Sequence, residues 1–284
     1  SMIEFLEAQP RYGFLQYAFW AGLLSSLSCG VVGAYVVSRR ISYLAGAIAH
    51  SVLAGLGAAR YLQATRGWDW LHPLYGAVAA ALIAAALIGL VNLRARQRED
   101  TIIGAIWALG MAVGILFMAA TPGYGVDLMG YLFGNILMVS PADLWLMAGL
   151  GVVVTLVGLG CYRQLLAVCF DAEFARLRGL AVDGYYLLLL GLTALTVVLL
   201  STVVGLIMVI ALLTLPAAVA GHFFGRLWQI MAAAVGLSAL FTTAGLALSY
   251  GPDLPTGAVI IVLAGASYLL VAALAWLRGR GRGA

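Results

Sequence analysis

Apolar runs long enough to cross a lipid bilayer recur along this chain, at roughly residues 14–37, 43–63, 74–93, 102–120, 141–161, 185–201, 203–221, 228–249 and 256–277. A spanning helix needs about 20 apolar residues, and in hydrocarbon the backbone must satisfy its own hydrogen bonds, so such runs form helices. The pattern predicts an all-α, polytopic membrane protein with about eight or nine transmembrane helices. Nine spans are preferred; residues 185–221 as one span plus a re-entrant piece would give eight. Of the 284 residues, 64% are hydrophobic and only 9% charged, which excludes a soluble globule. The longest polar stretches, 63–73, 94–101 and 170–183, are too short to fold alone. Residues 1–284 therefore read as a single transmembrane domain, and any energy-transducing chemistry belongs to another polypeptide.

Arginine supplies most of the formal charge of +4, in clusters at the ends of apolar runs. Following the spans in order puts Arg39-Arg40, Arg94-Arg96-Arg98, Arg163 with Arg176 and Arg178, Arg226, and Arg278-Arg280-Arg282 on one side. By the positive-inside rule that side is cytoplasmic and the N-terminus is outside. The clusters set topology and do not form a nucleic-acid patch. The opposite face carries Trp68, Asp69, His72, Asp127 and Asp253 and is mildly acidic and aromatic. Cys29, Cys161 and Cys169 are isolated, without C-x-x-C spacing, and read as small buried residues. The N-terminus lacks the basic start and small-residue cleavage site of a secretory signal, so the first span is expected to be retained.

His50 lies within the apolar stretch that follows Arg39-Arg40. Ionisable side chains at membrane depth mark substrate or ion pathways by default, and an imidazole is a transition-metal ligand. The alternative is a buried, hydrogen-bonded histidine. Ser51 beside it reads as a packing or backbone-bonded hydroxyl. His72 and Asp69 fall on an external loop, and His222 at the cytoplasmic edge. Residues 126–140, opened by Asp127 and closed by Pro141, are too short to span and read as an external half-helix. Asp127 suits its cap. Pro216 in an apolar span should loosen the local hydrogen-bond ladder, as a gating kink or a packing irregularity. Gly110 with Gly114, and Gly130 with Gly134, have the small-xxx-small spacing of close helix packing.

On the arginine-rich side, residues 170–180 predict a short, capped helix. Asp171 precedes Ala172 to Leu177 as an N-cap, Glu173 sits in the first turn, Arg176 and Arg178 lie near the end, and Gly179 can supply a left-handed stop. Phe170, Phe174 and Leu177 give it an apolar side that could meet a partner.

Four segments in order resemble permeases of bacterial zinc, manganese and iron ABC importers, the ABC-3 type metal permease family. They are Arg39 through Gly55 with His50; Asp127-Leu128 through Leu132-Phe133-Gly134-Asn135; Asp171 through Arg176 and Gly179; and Val204-Gly205 through Pro216 to Ala220. The resemblance implies a type II-like ABC importer permease in the bacterial plasma membrane. Such a permease dimerises, with a second copy of itself as a homodimer, and takes metal from an extracytoplasmic solute-binding protein. It is driven by cytoplasmic P-loop ATPase subunits that carry ATP and magnesium. The chain would then bind no cofactor and catalyse no reaction, and it contains no G-x-x-x-x-G-K-[ST] sequence. The resemblance also assigns residues 170–180 to ATPase coupling, through Asp171, Glu173, Phe174, Arg176, Arg178 and Gly179. It places the metal cavity near His50 and residues 127–135, with Gly46, Ser51, Asp127, Asn135 and Pro216 as pathway or gate candidates. One departure stands out. The family usually has an aspartate four residues before the histidine, on the same helical face; here that position is Gly46. Either the missing carboxylate comes from the second protomer, from Asp127 or from nowhere, or glycine there widens the path for a metal chelate. An ion-coupled carrier is the rival reading, but such carriers usually need several ionisable residues inside their spans.

Overall fold

The structure, a computed structural model, describes residues 13–94, 99–122, 139–252 and 254–280. In chain order the helices are α1 (Gly13–Ser38), α2 (Ser42–Arg66), α3 (Pro73–Arg94), α4 (Glu99–Ala120), α5 (Pro141–Gly160), α6 (Tyr162–Phe170), α7 (Ala172–Leu177), α8 (Val182–Val204), α9 (Leu206–Phe223), α10 (Leu227–Tyr250) and α11 (Thr256–Arg280). No strand occurs among the described residues. The expected half-helix at 126–140, with Asp127, Asn135 and the Gly130/Gly134 pair, lies almost wholly outside the described residues.

Eight helices, α1 to α5, α8, α10 and α11, are long and apolar enough to cross a membrane. The expected span 203–221 differs, because α9 offers only the shorter apolar stretch Met208–Phe223. The break is at Gly205, where φ is 82° and ψ 160°. Only glycine adopts that conformation readily, so α8 stops there and α9 starts afresh. Eight long spans and one short apolar helix thus fill the places of the nine expected runs.

Local chemistry sets the helix ends. α1 closes with a Schellman motif: the Arg40 amide donates to the Val37 carbonyl (3.1 Å) and the Ile41 amide to Val36 (3.0 Å). Arg40 takes the left-handed position, φ 61°, which glycine ordinarily fills. α5 begins with a capping box, Ser140 and Asp143 bonding each other's backbone amides, and Pro141 is its first residue. Within the apolar helices, Ser25, Ser26, Thr193 and Thr196 donate their hydroxyls to carbonyls one turn back. Those bonds satisfy groups that lipid cannot.

α1 is the axis of the bundle, in contact with α5, α8, α9 and α10. The Tyr35 hydroxyl, fully buried, donates to the Gly158 carbonyl near the end of α5 (2.8 Å). α2 is clasped by α3 and α4 and also touches α8 and α9; α8 packs on α3, and α11 rests on α9 and α10. The α2–α3 contact is a glycine crossing. A Cβ on Gly55 would collide with the Gly76 carbonyl, and one on Gly76 with the Gly55 carbonyl. α4 and α11 are peripheral, with Leu109, Leu116, Leu269 and Leu270 exposed as lipid-facing side chains are.

All three cysteines are free thiols; Cys29 and Cys169 are buried, as expected, whereas Cys161 is only partly buried. Burial pushes the Cys169 thiol up to about 11, with nearby Arg39 opposing the shift, so it stays protonated at neutral pH.

Candidate functional site

His50 sits on α2 with its side chain turned towards α4. Its imidazole is 8% exposed and stacks on the Trp107 indole, with ring centroids 4.5 Å apart and planes 21° apart. Among the described residues the buried Nδ1 has no hydrogen-bond partner. The alternative of a hydrogen-bonded core histidine therefore does not describe this nitrogen. Gly46, one turn earlier on the same face, touches the same ring: a Cβ there would lie 2.9 Å from Trp107 Cζ3 and 3.4 Å from Ile210 Cδ1 of α9. The room left by the missing side chain is thus filled by the indole, and Gly46 does not open a wider path in this conformation.

The other candidates separate by role. Ser51 donates its hydroxyl to the Ala47 carbonyl (2.9 Å), and Gly110 of α4 lies against the Ser51 backbone, where a Cβ would be 2.7 Å from Cα. Gly114 meets Leu53 in the same way, its Cβ position 2.6 Å from the Leu53 carbonyl carbon. Both glycines bring α4 close to α2. Pro216 is inside α9. His72 accepts a hydrogen bond at Nδ1 from the Leu74 amide (3.3 Å) at the start of α3. The Nδ1 of His222 lies 2.9 Å from the Ala218 carbonyl one turn back. Both histidines are held by local hydrogen bonds. No group of three or more His, Cys, Asp or Glu side chains suited to a metal ion occurs among the described residues.

The second candidate surface is on the arginine-rich side. The Asp171 carboxylate accepts from the Phe174 amide (2.9 Å), opening α7 as its N-cap. Gly179, at φ 80°, closes it in a Schellman motif, with the Gly179 amide donating to Arg176 (3.0 Å) and the Leu180 amide to Ala175 (3.1 Å). Only Ala175 is buried, fixing α7 on the bundle. Glu173 is exposed in the first turn. Phe170, Phe174 and Leu177 project outward, Leu177 to 87% exposure. Arg178 lies over the Phe174 ring, 5.0 Å from its centroid. Arg176 pairs with Asp183 at the start of α8 (2.5 Å), which ties α7 to the next span rather than leaving that guanidinium open. A groove of about 520 Å³ beside α7 is lined by Tyr162, Arg163, Phe170, Phe174, Arg226 and Trp228 among others. Phe170 ends α6, so the expected 170–180 unit is an exposed aromatic followed by a six-residue helix and its stop.

Trp107 was not among the residues singled out from sequence. Its signal was position: an aromatic in the middle of span 102–120, whereas membrane tryptophans concentrate at the interfaces.

Comparison with known proteins places the molecule. A 43% identical relative, an uncharacterised membrane protein of Synechocystis sp., aligns over 95% of this chain and 94% of its own length. The manganese transport system membrane protein MntC of Halalkalibacterium halodurans is 35% identical, with 95% of this chain and 90% of that protein covered. In structure the chain is similar to PsaBC from Streptococcus pneumoniae, solved in complex with Fab, with a TM-score of 0.84, 29% identity and 95% of each chain covered. The profile of the ABC 3 transport family matches residues 11–275, and this multi-pass, all-α membrane protein belongs to that family.

Proposed function

We propose that this chain is the transmembrane subunit of an ATP-driven importer of a divalent transition metal ion (zinc, manganese or iron) in the bacterial plasma membrane. It works as a homodimer, receives the ion from an extracytoplasmic binding protein, and is driven by separate P-loop ATPase subunits. The carrying observation is His50: a metal-ligand side chain buried at membrane depth whose Nδ1 is unpartnered among the described residues. Relatives named as manganese transport systems support the transition-metal reading. A metal chelate fits less well, because the indole of Trp107 occupies the space beside Gly46.

α7 is the coupling element of this reading. Apolar side chains exposed on a cytoplasmic helix call for a partner surface, and Asp171, Glu173, Phe174, Arg176, Arg178 and Gly179 shape or present it. The deciding experiment reconstitutes the complex with its ATPase and binding protein and measures ATP hydrolysis on adding zinc, manganese or iron. Stimulation by at least one ion supports the proposal. No response to any of them, or transport that persists without the ATPase, overturns it.

Asp171→Ala should uncouple this machine. Losing an N-cap costs about 1 kcal/mol, and a helix of six residues has little with which to offset it. Gly179→Val should act likewise by straining φ 80°. Both variants are expected to keep the membrane fold but to co-purify with less ATPase and lose metal-stimulated hydrolysis.

A further inference from the structure

A buried imidazole nitrogen without a partner is a position that proteins rarely leave unexplained. Metal-ligating histidines are ordinarily oriented by a hydrogen bond through the ring nitrogen that does not bind metal. His50 is oriented differently. Its ring lies face to face with Trp107, centroids 4.5 Å apart, and Nδ1 stays unbonded among the described residues. Lone pairs and N–H bonds of an imidazole lie in the ring plane, so a stack fixes the plane without occupying a nitrogen. The same indole closes the notch over Gly46, where a Cβ would come within 2.9 Å of it. Trp107 is only partly buried and belongs to α4, which packs chiefly on α2 through Gly110 and Gly114. It is therefore carried by a peripheral helix and not locked into the bundle axis.

We propose that Trp107 is a positioning and specificity-determining residue for the cation route. It holds the His50 imidazole in plane with Nδ1 unsatisfied, and it excludes a second ligand from the adjoining turn of α2. This rests on the reading of His50 as part of the route. The consequence concerns cation preference. With an aromatic face in place of an oxygen donor, this turn of α2 offers the ion nitrogen alone among the described residues, which favours imidazole-preferring ions over ions that prefer carboxylate or carbonyl oxygen. Gly46 and Trp107 act as a matched pair: added bulk at 46 displaces the indole, and a smaller residue at 107 releases the imidazole.

The test uses the reconstituted complex, with one binding protein preparation loaded with either Mn(II) or Zn(II), and compares wild type, Trp107→Phe, Trp107→Leu and Gly46→Ala. The readout is the ratio of half-saturating concentrations for the two loaded forms, beside the maximal hydrolysis rate. Trp107→Phe, which keeps an aromatic face, should retain the wild-type ratio. Trp107→Leu and Gly46→Ala should each shift it by about tenfold in the same direction, within the range by which touching residues couple. An unchanged ratio in both Trp107→Leu and Gly46→Ala, with wild type stimulated normally, overturns the role of Trp107 and leaves the importer reading standing. Equal loss in Trp107→Phe and Trp107→Leu, with the ratio unaltered, also overturns it, since that is the behaviour of mere packing. Lack of stimulation in wild type itself would refute the importer reading instead.

Discussion

His50→Ala should remove metal-dependent transport while leaving the bundle folded. The expected loss is at least tenfold to about a hundredfold in metal-stimulated hydrolysis, the range commanded even by residues that only support a metal ligand. Stability should change far less. Truncation leaves a cavity beside Trp107, which costs free energy, but it also removes a buried nitrogen that has no partner among the described residues, which offsets part of that cost. Thermal unfolding in detergent and uptake by the reconstituted complex separate the two effects. Unchanged uptake with an unchanged melt would take His50 out of the route altogether.

Gly55→Leu should do the opposite and abolish the fold before function is reached. The Gly55 Cβ position collides with the Gly76 carbonyl oxygen and lies only 2.7 Å from Ala80 Cβ, so the neighbour that must yield is mainly helix backbone. Overpacking a core ordinarily costs about 1–3 kcal/mol when side chains can move aside. Here α2 and α3 must separate along their crossing, which also disturbs the α2 segment that carries His50. Gly55→Ala should already lower the melting temperature, and Gly55→Leu should yield aggregated or degraded protein by size exclusion. Gly149→Ala is the control, because nothing lies within 4 Å of the Cβ it would add. Equal melts for Gly55→Leu and Gly149→Ala would show that the two helices are not held this closely.

The α7 surface was readable from sequence almost residue for residue, since its signals act over one or two turns. Asp171 caps the amide three residues on, and Gly179 supplies the left-handed turn that closes the motif. The Arg39-Arg40 turn was legible as a boundary but not as a Schellman motif, because arginine is an unusual occupant of a left-handed position. The pairing of Arg176 with Asp183 was not anticipated either, since it joins two separate helices.

The all-helical membrane architecture and the short capped helix were thus legible in the sequence alone, because hydropathy and capping are written along the chain, whereas the break at Gly205 that leaves eight long spans was not. Only the tertiary structure decided that Gly46 faces an indole, that His50 stacks on it, and that Gly55 meets Gly76. The physical reason is the solvent. In a bilayer the lipid-facing and the buried sides of a helix are both apolar, so hydropathy carries little record of which side meets which neighbour. Close packing settles that choice, and packing is fixed by shapes brought together from distant parts of the chain.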